Sequence, residues 1–417
     1  MKILQKEHFS INFVSIINEM LGLKKEMEQR KITARIDWLL VLIICSLFTI
    51  SLLAISSAQT SSYTLLNFIP RQIIYYGIFA SILIFVMMFD MEQIKKMTGF
   101  FYVMGILGLV VLIFMPEGED QIGEVINGAK SWYHTRLGSI QPSEFMKTFY
   151  ILACAKIITA HNEKIYIRTY KTDLQLLVKI GVTLIGPFAL IFQQPDLGSA
   201  LVFLAITAAL LIASGMTWKI IVPIFLAISA LGSALIWMAL EAPHILKEKL
   251  GIETYKLDRI YSWLEPEVYA SDEGYQLLSS MNAIGSGGIV GKGYMERSVY
   301  VVENHTDFIF TVIGEEWGFI GASTLICLYF MFIYRIMTTA LKVNDPYSSY
   351  ICVGIIAMLT FHIVENIGMT IQLLPITGIP LPFISYGGSS LMGNGLAIGL
   401  IFSMNYHYRK YTFAENE

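Results

Sequence analysis

The chain has 417 residues, of which 55% are hydrophobic and 15% charged, and its mean hydropathy is +0.60. Soluble chains carry about 25% charged residues, so this composition excludes a water-soluble globular protein and makes membrane lipid the expected surroundings. The net charge of −3 gives no ground for a nucleic acid partner.

A spanning helix needs about 20 predominantly apolar residues. Ten stretches qualify in chain order: 36–57, 72–90, 98–116, 142–159, 174–193, 199–214, 217–240, 308–334, 350–374 and 389–406. The predicted fold class is therefore an all-α integral membrane protein of about ten transmembrane helices, with a large extracellular loop between helices 7 and 8. The first stretch follows a tail of more than 30 residues, so a cleaved signal peptide is not expected.

Short-loop lysine and arginine set the orientation. Lys24, Lys25, Arg30, Lys31 and Arg35 precede the first span, Lys95 and Lys96 follow the second, and Lys164, Arg168 and Lys171 follow the fourth. Arg335 and Lys342 follow the eighth, and Arg409 and Lys410 end the last. With ten spans all of these fall on one side. The expected layout is a cytoplasmic tail at 1–35, a membrane domain at 36–410 and a cytoplasmic tail at 411–417. The opposite face receives 58–71, 117–141, 193–198, the long external loop 241–306, and 375–388. Cys45, Cys154, Cys327 and Cys352 lie inside apolar spans without metal or disulfide spacing. The seven histidines have no ligand spacing either.

Five polar motifs collect on that outer face. In the first, Arg136 precedes Gln-Pro-Ser-Glu144-Phe-Met-Lys147. Pro142 suits a first helical turn, and Glu144 and Lys147, three apart, share a helical face. A local ion pair at a helix start is the structural alternative to a functional charge placed at the membrane boundary. In the second, Gln193-Gln-Pro-Asp196-Leu-Gly joins two spans. Asp196 either caps the next helix or adds negative charge to an external cavity.

The third motif, Ala283-Ile-Gly-Ser-Gly-Gly-Ile-Val-Gly-Lys292-Gly, lacks phosphate-loop spacing. Loop flexibility is its expected meaning, with close approach to a substrate or partner as the alternative. Glu265, Glu267, Asp272 and Glu273 in the same long loop are expected to be solvated surface charge. In the fourth, His305 and Asp307 sit where this loop enters an apolar span. Asp307 either caps that helix or pairs with a neighbour such as Lys292 or Lys147, or it is a functional carboxylate. The fifth, Pro375-Ile-Thr-Gly-Ile-Pro-Leu-Pro-Phe-Ile-Ser385-Tyr386-Gly-Gly-Ser-Ser390, cannot be a continuous helix. It is a surface loop or a cavity-lining segment, since irregular backbone at membrane depth must be buried in protein or face water. Glu315, Glu316, His362, Glu365 and Asn366 add polar groups to apolar spans, with helix packing as their default role.

Taken together and in this order, the five motifs resemble the SEDS family (RodA, FtsW and SpoVE), over roughly residues 36 to 410. The resemblance implies a ten-helix fold and a peptidoglycan glycosyltransferase that polymerises lipid II, the undecaprenyl-pyrophosphate-linked disaccharide-pentapeptide, at the outer face of the bacterial cytoplasmic membrane. The elongation member is the nearest match, and a class B penicillin-binding protein transpeptidase is the implied partner. Family resemblance places the general base on Asp307, where partial burial would raise its pKa toward neutrality. Lys147, Arg136 and Lys292 are the expected cations for the leaving pyrophosphate. Glu144, Asp196, His305, Ser385 and Tyr386 complete the expected substrate site. A divalent cation, Mg or Mn, is an optional cofactor. Two rival functions stay open at this point. One is a lipid II flippase, since charged spans and broken helices are transporter features. The other is a non-catalytic scaffold for the transpeptidase.

Overall fold

The structure is a computed structural model that describes residues 35–60, 67–115, 130–135, 138–165, 167–241, 254–269 and 273–414. Ten long helices occur among these residues, and each answers to one predicted span. They are α1 (Trp38–Thr60), α2 (Phe68–Met87), α3 (Met91–Phe114), α4 (Pro142–Lys164), α5 (Tyr170–Gln193), α6 (Leu197–Ala213), α7 (Trp218–Glu241), α10 (Ile309–Lys342), α11 (Pro346–Thr370) and α12 (Gly388–Ala414). Two shorter helices, α8 (Thr254–Leu264) and α9 (Glu273–Ser286), lie within the long loop. A small antiparallel hairpin, β1 (Tyr133–Thr135) with β2 (Gly138–Ile140), precedes α4. The expected all-α fold holds, with this hairpin as its one addition among the described residues.

Seven of the long helices are long and apolar enough to cross a membrane, and α6 is a shorter apolar helix. The exceptions, α4 and α12, are the informative ones. Helix α4 packs on α3, α5, α6, α11 and α12. It faces protein on nearly every side, so its positions need not dissolve in lipid, and it buries Ser143, Glu144, Lys147, Thr148 and His161. Helix α12 packs along α2 and against α4. Gly393 permits the second contact, because a Cβ there would lie 2.9 Å from the Glu144 carbonyl. Helix α7 is the opposite case. Its main contacts among the described elements are with α5 and α8, and its flank residues Leu226, Leu231 and Trp237 are exposed for lipid to cover.

The glycine-rich motif is a clamp, which corrects the expectation of a flexible loop. Helix α10 breaks at Gly318, where φ is 59° and ψ −158°. The break frees backbone groups that must be satisfied at this depth, and the segment after α9 supplies the partners. Phe319 N donates to Gly288 O (2.9 Å) and Ile320 N to Ile289 O (3.1 Å), while Lys292 N and Gly293 N donate to Glu315 O and Glu316 O, both at 3.0 Å. A Cβ at Gly287 would sit 2.1 Å from Gly314 O, and one at Gly291 2.1 Å from Glu316 O. The missing side chains are therefore the condition for backbone-to-backbone approach. Two buried ion pairs close the clamp: Lys292 with Glu315 (2.7 Å) and Arg297 with Glu316 (3.3 Å).

Candidate active site

The residues between α9 and α10, the turn before α6, the start of α4 and the irregular segment 375–387 converge at the end of the bundle opposite the start of α1 and the end of α12. They enclose a cavity of about 250 Å³. Glu144, Lys147, Asp196, Asp307 and Tyr386 line it, together with Ser131, Trp132, Gln141, Arg259, His362, Thr377, Gly378 and Ser390. Segment 375–388 is thus cavity-lining.

Helix geometry places the first pair. Pro142 starts α4 and Glu144 falls in its first turn, where negative charge suits the helix dipole. Lys147, one turn on, donates to Glu144 Oε1 at 2.8 Å and is only 1% exposed. The ion pair offered as the structural alternative therefore exists, but it is buried in the wall of the cavity. Lys147 Nζ also lies 3.0 Å from His362 Nε2, and His362 Nδ1 lies 2.6 Å from Met358 O. An ammonium has no lone pair and a carbonyl cannot donate, so Nδ1 carries the proton and Nε2 accepts from Lys147. His362 is a neutral brace for the ammonium.

Asp196 does what its capping alternative foresaw. Its Oδ1 accepts from Ser199 N (2.9 Å) at the start of α6, and its Oδ2 accepts from Gln141 Nε2 (2.8 Å), tying the α6 turn to the α4 start. A Cβ on the neighbouring Gly198 would meet Ile379 and the Thr377 carbonyl, so the turn sits directly on segment 375–387.

Asp307 differs from the other acids. The N-cap of α10 is Phe308, with no side-chain cap, while Lys292 is paired with Glu315 and Lys147 with Glu144. Asp307 therefore neither caps the helix nor pairs with either lysine, and the cation that acts on it is Arg259. The side chain is half-buried, in the wall of the cleft, with Gly378 beneath it. A Cβ at Gly378, whose φ is +75°, would sit 3.3 Å from Asp307 Oδ2. Burial pushes the Asp307 carboxyl up to about 7, the Glu303 carboxylate adds to the rise, and the Arg259 guanidinium opposes it. Its backbone is held from below. Asn366 Nδ2 donates to Asp307 O (2.7 Å) and to Ile379 O (2.8 Å), joining the two irregular segments.

The other predicted residues serve that joint. Ser385 Oγ donates to Thr306 O (2.7 Å) and accepts from Leu381 N (2.8 Å). Tyr386 N donates to His305 O at 2.9 Å. The His305 ring stacks on Phe68 at 4.5 Å and lies outside the cavity lining; burial lowers its pKa, against the pull of Glu303. Lys292 belongs to the clamp and does not line the cavity. Arg136 and Asp272 lie outside the described residues. Glu265 and Glu267 are exposed, as expected of surface charge.

Sequence inspection missed Arg259, Gln141, Trp132 and Thr377, and it gave His362 only a packing role. A polar residue inside an apolar span was the signal available for His362. Arg259, on α8 in the long loop, offered none.

A bound divalent cation needs several oxygen or nitrogen ligands from one place. Among the described residues no three His, Cys, Asp or Glu side chains are grouped to hold one. Glu144 is taken by Lys147, and Asp196 by Ser199 and Gln141. The described residues do not make a metal site of their own.

Ten long helices among the described residues, one of them the polar inner helix α4, with a carboxylate-bearing cavity at one end, define a multi-pass membrane protein with a candidate active site near the membrane boundary. The chain belongs to the FtsW/RodA/SpoVE family of cell cycle proteins, whose profile matches residues 33–410. It is 32% identical to stage V sporulation protein E of Bacillus subtilis, over 89% of this chain and 98% of that one. It is 30% identical to the peptidoglycan glycosyltransferase RodA of Treponema pallidum, over 88% and 97%. With the probable peptidoglycan glycosyltransferase FtsW of Coxiella burnetii it shares 32% identity, over 91% and 99%. Its fold is similar to a chain from a peptidoglycan synthase complex (TM-score 0.73, 24% identity, 89% of this chain and 98% of that one). The rod shape determining protein RodA of Thermus thermophilus is also similar (TM-score 0.64, 24% identity, 89% and 97%).

Proposed function

We propose that this protein is a peptidoglycan glycosyltransferase that polymerises lipid II at the outer face of the bacterial cytoplasmic membrane. The observation that supports this best is a single one. Asp307, an acid that neither caps a helix nor pairs with a lysine, faces the same cavity as the buried Lys147 and Arg259.

The chemistry follows from that arrangement. A sugar hydroxyl of one substrate attacks the anomeric carbon of the other, the bond from that carbon to the pyrophosphate oxygen breaks, and undecaprenyl pyrophosphate leaves. The hydroxyl proton passes to Asp307. A carboxyl poised at about 7 is well matched to a general base near neutral pH. Lys147 and Arg259 supply fixed positive charge for the departing pyrophosphate, and His362 and Glu144 hold the ammonium in place.

Further parts of the proposal rest on the family resemblance. They are a role in cell elongation and rod shape and a class B penicillin-binding protein as partner; the cytoplasmic placement of both termini rests instead on the lysine and arginine of the short loops. Sporulation, elongation and division proteins all stand among the relatives, so the cellular role is tested by depletion. Rounded cells fit elongation, whereas filaments or a sporulation block would reassign it. The activity is tested with purified protein and lipid II. Wild type should yield glycan polymer, and a folded Asp307→Asn protein should lose about 10²–10⁴-fold of the rate, the usual worth of a general base. Near-wild-type polymerisation by Asp307→Asn would overturn the assignment.

A further inference from the structure

At the end of the bundle where α1 starts and α12 ends, α1, α2 and α12 leave an apolar groove of about 730 Å³. It is remote from the cavity around Asp307 and shares no lining residue with it. Val41, Ile44 and Cys45 of α1, Ala80, Leu83, Ile84 and Met87 of α2, and Phe402 of α12 form its walls, with Phe48 and Phe79 at its deep end. In a multi-pass membrane protein a lipid-facing groove of this kind is filled by hydrocarbon. What distinguishes this one is its mouth.

The mouth has the chemistry of a headgroup site. Trp38 lines the groove and is 57% exposed, which suits an aromatic residue at the membrane–water boundary. Tyr406 and His407 stand beside it in the lining. Arg35 lies over the Tyr406 ring, 5.5 Å from its centroid. The Arg35 Nε is buried and makes no hydrogen bond among the described residues. A guanidinium presents five donors in a planar fork that matches a phosphate, and Arg35, part-exposed, adjoins Ile36 of the groove lining. The nearby acid is not that partner, because Asp37 is bound to Arg335 at 2.6 Å. The His407 Nδ1 is turned back to Ser403 O at 3.0 Å. Among the described residues Arg35 is therefore without an acidic partner, at the mouth of an apolar slot.

We propose that this groove is a binding site for one anionic phospholipid of the leaflet on the side of the termini, with an acyl chain between α1 and α2 and the phosphate on Arg35. The proposal depends on the chain spanning a membrane and not on the reaction at Asp307.

The test uses the full chain in mild detergent with equal amounts of phosphatidylglycerol and phosphatidylcholine of matched acyl chains. Retained lipid is counted by native mass spectrometry. Wild type should retain phosphatidylglycerol in roughly fivefold preference, the worth of about one basic residue near an anionic lipid. Arg35→Gln should bring the two lipids to parity without lowering the total. Lys342→Gln, an exposed cation at the end of α10, should leave the preference intact. Ala80→Phe should fill the slot and lower retention of both lipids. As a measurement that needs no altered groove wall, acyl-brominated phosphatidylglycerol should quench Trp38 more than acyl-brominated phosphatidylcholine does. The Trp38 signal is taken as the difference between wild type and Trp38→Phe. No headgroup preference in wild type, a preference that survives Arg35→Gln, or equal quenching by the two brominated lipids would each overturn the proposal.

Discussion

Asp307 is costly to the fold in the charged state that its proposed role requires. Its carboxyl is raised from the usual range to about 7, chiefly by burial. The folded state therefore binds a proton that the unfolded state has already lost between about pH 4 and 7, and stability falls as pH rises through that window. Asp307→Asn should melt at a higher temperature than wild type at pH 8, with the gap closing as the pH approaches 4. In the proposed reaction the same titration has the opposite sign. The base must be ionised, so wild-type kcat/KM for lipid II should climb as pH rises through about 7. The Glu144–Lys147 pair obeys a different rule. Removing one partner of a buried pair strands the other's charge, at about 3–5 kcal/mol. Lys147→Met should lower the melting temperature sharply, and Glu144→Gln added to it should recover most of the loss while leaving the protein inactive. A double variant no more stable than Lys147→Met would show that the pair is not coupled.

Among the elements, the clamp after α9 and segment 375–387 do for the site what regular helices cannot. They bring backbone to backbone at membrane depth, where the amides of Lys292, Gly293, Phe319 and Ile320 find carbonyl partners. Gly291 has a φ of +87° and no room for a Cβ against the Glu316 carbonyl. Gly291→Ala should cost at least about 1–3 kcal/mol, the usual scale of such strain. Gly285, with open space around its Cβ position, should accept alanine without loss in the same melting experiment. Gly378→Ala is the functional counterpart. A methyl group there presses on Asp307 Oδ2 and strains a left-handed residue, so polymerisation should fall while the helices stay folded.

For the whole molecule, the proposed reaction needs the cavity to face the compartment where the glycan is built. Orientation is therefore part of the functional proposal. Val268, in the long loop, is 71% exposed, and Ile167, between α4 and α5, is 80% exposed. In a background lacking the native cysteines, a membrane-impermeant thiol reagent added outside intact cells should label Val268→Cys and spare Ile167→Cys. The reverse pattern would put Asp307 on the cytoplasmic side and remove its access to an external substrate.

The number and order of the spans were legible in the chain because lipid imposes a local requirement, a run of apolar residues long enough to cross it. The same requirement explains why the polar motifs stood out, and why a break was foreseen at Pro375–Pro382. Span ends were less legible. The eighth helix runs on to Lys342 and the ninth starts at Pro346, since helices continue past the apolar core wherever caps and protein contacts allow. Partner choice was not legible at all. Lys147 meets His362 across 215 residues of sequence, and Asn366 holds the Asp307 carbonyl across 59. No local pattern encodes either contact. Tertiary packing alone sent Lys292 to Glu315, brought Arg259 into the cavity and turned a glycine-rich loop into a clamp. A charge or an unpaired backbone group at that depth must find its partner within the protein, and only the packed helices determine which groups lie within reach.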